Sequence, residues 1–279
     1  MLRIIYTTDL HGNIPRYEAI LATALEQGIK LIHLGADLLP KGSGIFEIQK
    51  KFVNGYLKQF YDRCKENGIE VLAFFGNDDI YTRKKYFKKY GTLLDEVPYQ
   101  KDGYEFKAYP FVQDYPFGLK TACKWDSIDW RCPEKYIHKP SDVSEQGWVN
   151  IPDTNAYFSA KGTIEDDLKA IHATNKTIMA IHQPPWALSL DVCMDGRRVG
   201  SEAVYNWIQR EQPLVVLCGH IHENYTVTGV WKTYIDKSIV IQPGQSSEFE
   251  NKIRIVLIEL NETAHAELVD IPTKDLYVN

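Results

Sequence analysis

The sequence has no CxxC pair and an odd number of cysteines: Cys64, Cys123, Cys132, Cys193 and Cys218, scattered over 279 residues. That pattern argues against a disulfide framework and a thiolate metal site, and it fits a reduced, cytoplasmic setting. No apolar run exceeds strand length, so no helical membrane span and no membrane partner are expected. A basic run is missing too, and the net charge is −5. The positive face that nucleic acid requires is therefore not expected. The opening stretch MLRIIYTTDLHGN lacks a small-residue cleavage site after its apolar part, and it reads as a first strand rather than a signal peptide. Repeats, low-complexity tracts and clear linkers are absent. What remains is ordinary globular composition, 44% hydrophobic and 25% charged, long enough for one large domain over 1–279.

Seven β-rich apolar runs bounded by Gly, Pro or Asp predict strands. They are Arg3–Thr7, Lys30–Leu34, Glu70–Phe75, Lys176–Ile181, Pro213–Cys218, Ser238–Gln242 and Lys252–Leu260. Near-continuous apolarity implies strands covered on both faces. Helical spacing appears over Pro15–Glu26 and over Ile45–Asn67, the latter ending at Gly68. Strand–helix alternation gives the class, α/β. From 95 to 162 the chain is rich in Tyr, Trp, Pro and Lys with little periodicity, which predicts a loop-rich insertion or cap in which YEFKAYPFVQDYPF forms one or two strands. Thr163 then reads as a helix N-cap, with Asp166 three residues on.

The polar residues collect just after the strands. Asp9 and His11 follow the first, Asp37 the second, and Asn77, Asp78 and Asp79 the third. His182 follows KTIMAI, and His220 and His222 follow PLVVLCG. In open α/β sheets the crevice at the carboxyl ends of strands is where sites form. The set mixes oxygen and nitrogen donors without thiolate, which suits Mn, Fe or Zn. Without Asp78 and Asp79, the seven donors Asp9, His11, Asp37, Asn77, His182, His220 and His222 are too many for one ion and about right for two with a shared carboxylate, the ions held roughly 3.5–4 Å apart. Each motif alone also suits a plain turn or a helix cap. Their joint placement after five strands is what points to a site.

In order and spacing, DLH (Asp9–His11), GAD (Gly35–Asp37), GNDD (Gly76–Asp79), His182 and GHIH (Gly219–His222) resemble the calcineurin-like metallophosphoesterases. The resemblance implies an αββα two-sheet sandwich with flanking helices. It implies two divalent or trivalent ions, one on Asp9, His11, Asp37 and His222, the other on Asp37, Asn77, His182 and His220. The implied activity is hydrolysis of a small-molecule phosphate mono- or diester by a dinuclear metal-activated hydroxide. A non-catalytic metal-binding scaffold of the same fold is the alternative, and a nuclease is disfavoured by the acidic balance. At its third motif the family usually reads Gly-Asn-His and then an acid, so Asp78 stands where that His would be. Phe75 stands where the protein serine/threonine phosphatases carry Arg. Asp78 is expected to act in catalysis without being a ligand, and its negative charge would favour diesters over dianionic monoesters. Asp79 is expected to support the ligands from behind. Arg197 and Arg198, just before the N-cap candidate Ser201, are candidates for substrate contact. His33, inside a strand, reads as a satisfied core histidine.

Overall fold

Parallel pairing of short strands sets the frame. Leu2–Thr7 lies beside Leu31–Leu34, which lies beside Glu70–Ala73 and then Thr92–Leu93, all parallel. On its other side Leu2–Thr7 pairs antiparallel with Lys252–Leu260, and that strand with Ala264–Pro272, giving a six-stranded sheet. The structure is a computed structural model and describes residues 1–247 and 250–273. A second six-stranded sheet centres on Thr177–Ile181, parallel to both Tyr104–Tyr109 and Val215–Leu217. Ser238–Ile241 extends it in parallel, and Lys232–Ile235 and Tyr99–Lys101 are its antiparallel edges.

Alternation along each strand builds the layers. In Leu2–Thr7, Ile4 and Tyr6 face the second sheet and pack with Phe106, Ile178 and Leu217. Ile5 faces outward onto Tyr17, Ile20 and Phe60. On the far side, Met179, Ile181 and Val216 pack against Trp207 and Ile208. The result is helix, sheet, sheet, helix, as expected from strands covered on both faces. Three helices start on side-chain caps at or next to the residues that the sequence marks. Asn13 accepts from the Arg16 N–H with Pro15 in the first turn, Thr163 from Asp166, and Ser201 from Val204.

Some elements differ from expectation. The helix over 45–67 is interrupted by a wider π-type turn at Val53–Leu57, with Gly55 inside it. Tyr104–Tyr109 is one of the strands expected within the 95–162 stretch, and it joins the second sheet by pairing with Tyr99–Lys101 and Thr177–Ile181. Only beyond Tyr109 does the chain become irregular, around a small cluster of Val112, Cys123, Trp125 and Phe158. No helix among the described residues is long and apolar enough to cross a membrane.

Candidate functional site

The loops that leave five strands at their carboxyl ends meet at one edge of the two sheets, where the Tyr6 hydroxyl donates to the Cys218 carbonyl at 2.7 Å. Four of the residues they carry have left-handed backbone: Asp9 (φ 57°), His11 (46°), Asp37 (54°) and His220 (72°). Such conformations cost of order 1–3 kcal/mol each for non-glycine residues, and they persist where the surroundings over-determine them. Here the bracing is visible. Asp9 N–H donates to the Ala36 carbonyl and His11 N–H to the Asp37 carbonyl, both at 2.9 Å, so the first two loops are laced together.

Two adjoining donor groups result. Asp9, His11 and His222 form one, and Asp37, His182 and His220 the other; within each, ligating atoms lie within 4.8 Å of one another. His222 Nε2 is 3.2 Å from Asp9 Oδ1, and His11 Nε2 is 3.1 Å from His222 Nε2. His182 Nε2 is 3.3 Å from Asp37 Oδ2 and 3.1 Å from Asn77 Oδ1, which brings Asn77 into the second group. All seven expected ligands are thereby brought together. Burial opposes ionisation of Asp9 and Asp37, but His222 beside the first and His182 beside the second more than offset it and hold both carboxyls well below their usual range. The same pairs raise His182 and His222 against the burial that would lower them. For His11 and His220 burial prevails and pushes each imidazole down to about 3. The edge therefore holds ionised carboxylates beside two neutral imidazoles, His11 and His220, and two that favour the proton, His182 and His222, which a bound cation would displace. That is the donor chemistry a divalent cation requires, and the residues present fit it.

Asp79 is the brace behind them. Its carboxylate accepts from the Leu38 (3.2 Å), Leu39 (2.8 Å) and Gly76 (3.0 Å) N–H groups, clamping the Asp37 loop to the Asn77 loop. Burial and the Asp37 charge push Asp79 up to about 8, while the three N–H groups pull the other way. Gly76 is required by proximity. A Cβ there would sit 2.3 Å from Asp37 Oδ1, so only glycine lets the third strand end approach the Asp37 carboxylate.

A family model described as calcineurin-like phosphoesterase matches residues 2–224, which span every one of these loops. The chain belongs to that family. No curated protein matches it in sequence. Among solved structures, one crystal structure superposes with a TM-score of 0.57 at 13% identity, covering 98% of this chain and 99% of the other. Another, of TT1561 from Thermus thermophilus, has a TM-score of 0.51 at 16% identity, covering 95% and 98%. At these identities the likeness is one of fold. A dimetal phosphatase from Danio rerio is similar more loosely, at 10% identity and a TM-score of 0.44, covering 98% and 99%.

In this phosphoesterase-family chain the expected outliers go separate ways. Asp78 offers an oxygen within 4.8 Å of donors of His11 and Asp37, and its N–H donates to Asp37 Oδ1 at 2.8 Å. Its Oδ2 pairs with the ammonium of Lys41 at 2.7 Å. Sequence reasoning missed Lys41. It lies four residues past Asp37, outside any motif, and only the loop geometry brings it across to the third strand end. Asp78 is not a lone negative charge, so the expected bias against dianionic monoesters loses its basis. Arg198 reaches inward to the buried Asp191 at 3.1 Å and braces its own loop. Arg197 lies near His220 on the wall of a cavity and is held by Asp195 and Glu134. His33 is buried between the rings of Tyr6, Phe74 and Phe106, but neither of its ring nitrogens has a hydrogen-bond partner; burial pushes it down to about 3.

Proposed function

We propose that this chain hydrolyses a small phosphate ester at a two-ion centre, with Asp9, His11, Asp37 and His222 around one ion and Asp37, Asn77, His182 and His220 around the other. The observation that carries it is the pair of adjoining donor groups with Asp37 between them. When bound, Mn, Fe or Zn would supply Lewis acidity and lower the pKa of a coordinated water. The protein's own residues do the rest. His11 and His220 present neutral ring nitrogens, and Asp79 holds the two loops at fixed separation. Asp78 acts as a positioning residue that holds Lys41, and the Lys41 ammonium neutralises charge building on the phosphoryl oxygens. Burial would lower Lys41, but Asp78 and Asp37 raise it instead, so it stays cationic at neutral pH. Net charge −5 argues for a small-molecule ester rather than a polynucleotide.

The experiment is a screen of phosphomonoesters, phosphodiesters and cyclic nucleotides with Mn²⁺, alongside metal content. Turnover with two ions bound is expected; two ions with no turnover of any ester would leave the non-catalytic scaffold as the reading. Lys41→Met should lower kcat/KM roughly 10²–10³-fold, the range for losing one transition-state donor, with metal content kept and partial rescue by Lys41→Arg. Wild-type kinetics for Lys41→Met would remove the cation from the mechanism.

A further inference from the structure

Beside the ring of His220 lies a cavity of about 310 Å³, walled by Tyr115, Phe117, Ile137, Cys193, Val199 and Ile221. Three of these come from the irregular stretch beyond Tyr109. Three properties of the cavity decide what could fill it.

The first is its continuity with the reacting centre. The ring of Phe117 stands edge-on to that of His220, with centroids 6.2 Å apart, so one wall of the cavity is a proposed ligand. The second is its lack of free charge. Burial pushes the Cys193 thiol up to about 11, so it lines the cavity as a neutral, apolar surface. Arg197 is already flanked by Asp195 at 2.6 Å and by Glu134. A second anionic group on the ligand would find that guanidinium already paired, and the other basic side chain in the wall is the exposed His138. The third is an apolar surface left in water. Ile137, on the rim, is 76% exposed although its neighbours in the wall are aromatic and aliphatic.

The wall is also rigidly held. Lys120 is fully buried and paired with the fully buried Asp114 at 2.7 Å. Its ammonium lies 4.4 Å from the ring centroid of Phe117 and 4.7 Å from that of Tyr136, and it donates to the Tyr115 carbonyl. The Tyr136 hydroxyl donates to the other oxygen of Asp114. A buried ion pair adds little net stability over apolar packing. Its visible consequence here is geometric, since it locks the backbone of Tyr115 and the ring of Phe117 against His220.

We propose that this cavity is the subsite for the organic half of the substrate, and that it takes a neutral ring-bearing alcohol, one ring or two fused, esterified to the phosphate. The proposal rests on the phosphoesterase reading above for the phosphate, but not for the ring. A cavity near 300 Å³ is at the small end for organic ligands, which excludes a large lipid or an extended peptide.

The test compares benzyl phosphate with ethyl phosphate on the Mn²⁺-loaded full chain; both leave as simple alkoxides, so the ring is the main difference. Benzyl phosphate should have a KM about tenfold or more below that of ethyl phosphate, the effect of burying one phenyl ring. Val199→Trp, which fills the cavity, and Ile137→Asp, on the exposed rim where folding tolerates charge, should each bring that ratio close to one. Independently, 2-naphthol should bind the full chain, read by its own fluorescence, and both variants should weaken that binding. Equal KM values for the two esters, with no 2-naphthol binding, would overturn the subsite and leave the phosphoesterase reading intact. If neither these two esters nor any ester of the wider screen is turned over, yet 2-naphthol binds wild type and not the variants, the subsite stands and the phosphoesterase reading fails.

Discussion

Two regions of irregular backbone face each other across the ring of His220, and they are built on opposite terms. The loops at the strand ends are short and strained, with left-handed φ at Asp9, His11, Asp37 and His220, and they are clamped by Asp79. Their side chains are donors. The stretch beyond Tyr109 has its own small apolar cluster and a buried Lys120–Asp114 pair, and it presents to the cavity mainly rings and an aliphatic group, Tyr115, Phe117 and Ile137. One region is specified by chemistry, so its residue types are nearly forced. The other is specified by shape, which many residues can supply. In the proposed reading, the difference separates reaction from recognition within one site.

The sharpest way to break that division is Asp37→Ala. Asp37 contacts His182 and the Asp78 N–H, and it is the proposed shared ligand, so both ions should be lost together and turnover should fall by roughly 10³-fold or more. Elemental analysis and kinetics check this; retention of one full ion equivalent would show that Asp37 is not shared. In the other region, Lys120→Met should destabilise the fold by about 3–5 kcal/mol by stranding the buried Asp114, whereas Lys120→Met with Asp114→Leu should recover most of it. Denaturant unfolding reads both, and equal losses for single and double variants would mean that the pair itself is not what matters.

The same division explains what the sequence disclosed. Strand ends such as Thr7, Leu34 and Ile181 were legible because apolar runs stop abruptly at Gly or a donor, and each donor has few structural reasons to be there. The edge strands Lys232–Ile235 and Ala264–Pro272 were not, because half-exposed strands mix polar and apolar residues without a clean period. The left-handed backbone at Asp9 and His11 carries no glycine to announce it. Lys41 and Lys120 were illegible for a shared reason: an ion pair closed by folding leaves no mark at either position in the chain.

Smaller effects sharpen the comparison. Asp79→Asn keeps the shape but weakens the clamp, so metal affinity should fall about 10–100-fold with the fold intact, as measured by chelator competition. Unchanged affinity would make Asp79 a turn residue only. The smallest effect is a pH dependence beyond Tyr109. Burial pushes Lys161 down to about 8, although it donates to the Lys120 and Thr121 carbonyls. Its ordinary value is 10.5, so between about 8 and 10.5 the unfolded chain binds more protons than the folded one. Stability from this group therefore rises with pH across that window, and below it the burial penalty is fully present. Lys161→Met should flatten that rise in unfolding measured from about pH 7.5 to 10.5, and an identical slope in both proteins would show that Lys161 is not titrating there.

The proposed two-ion centre is tested most directly by metal stoichiometry. Protein purified without chelator, loaded with Mn²⁺ and freed of excess should carry close to two ions per chain by elemental analysis. Saturation at one ion per chain would contradict the two-ion centre.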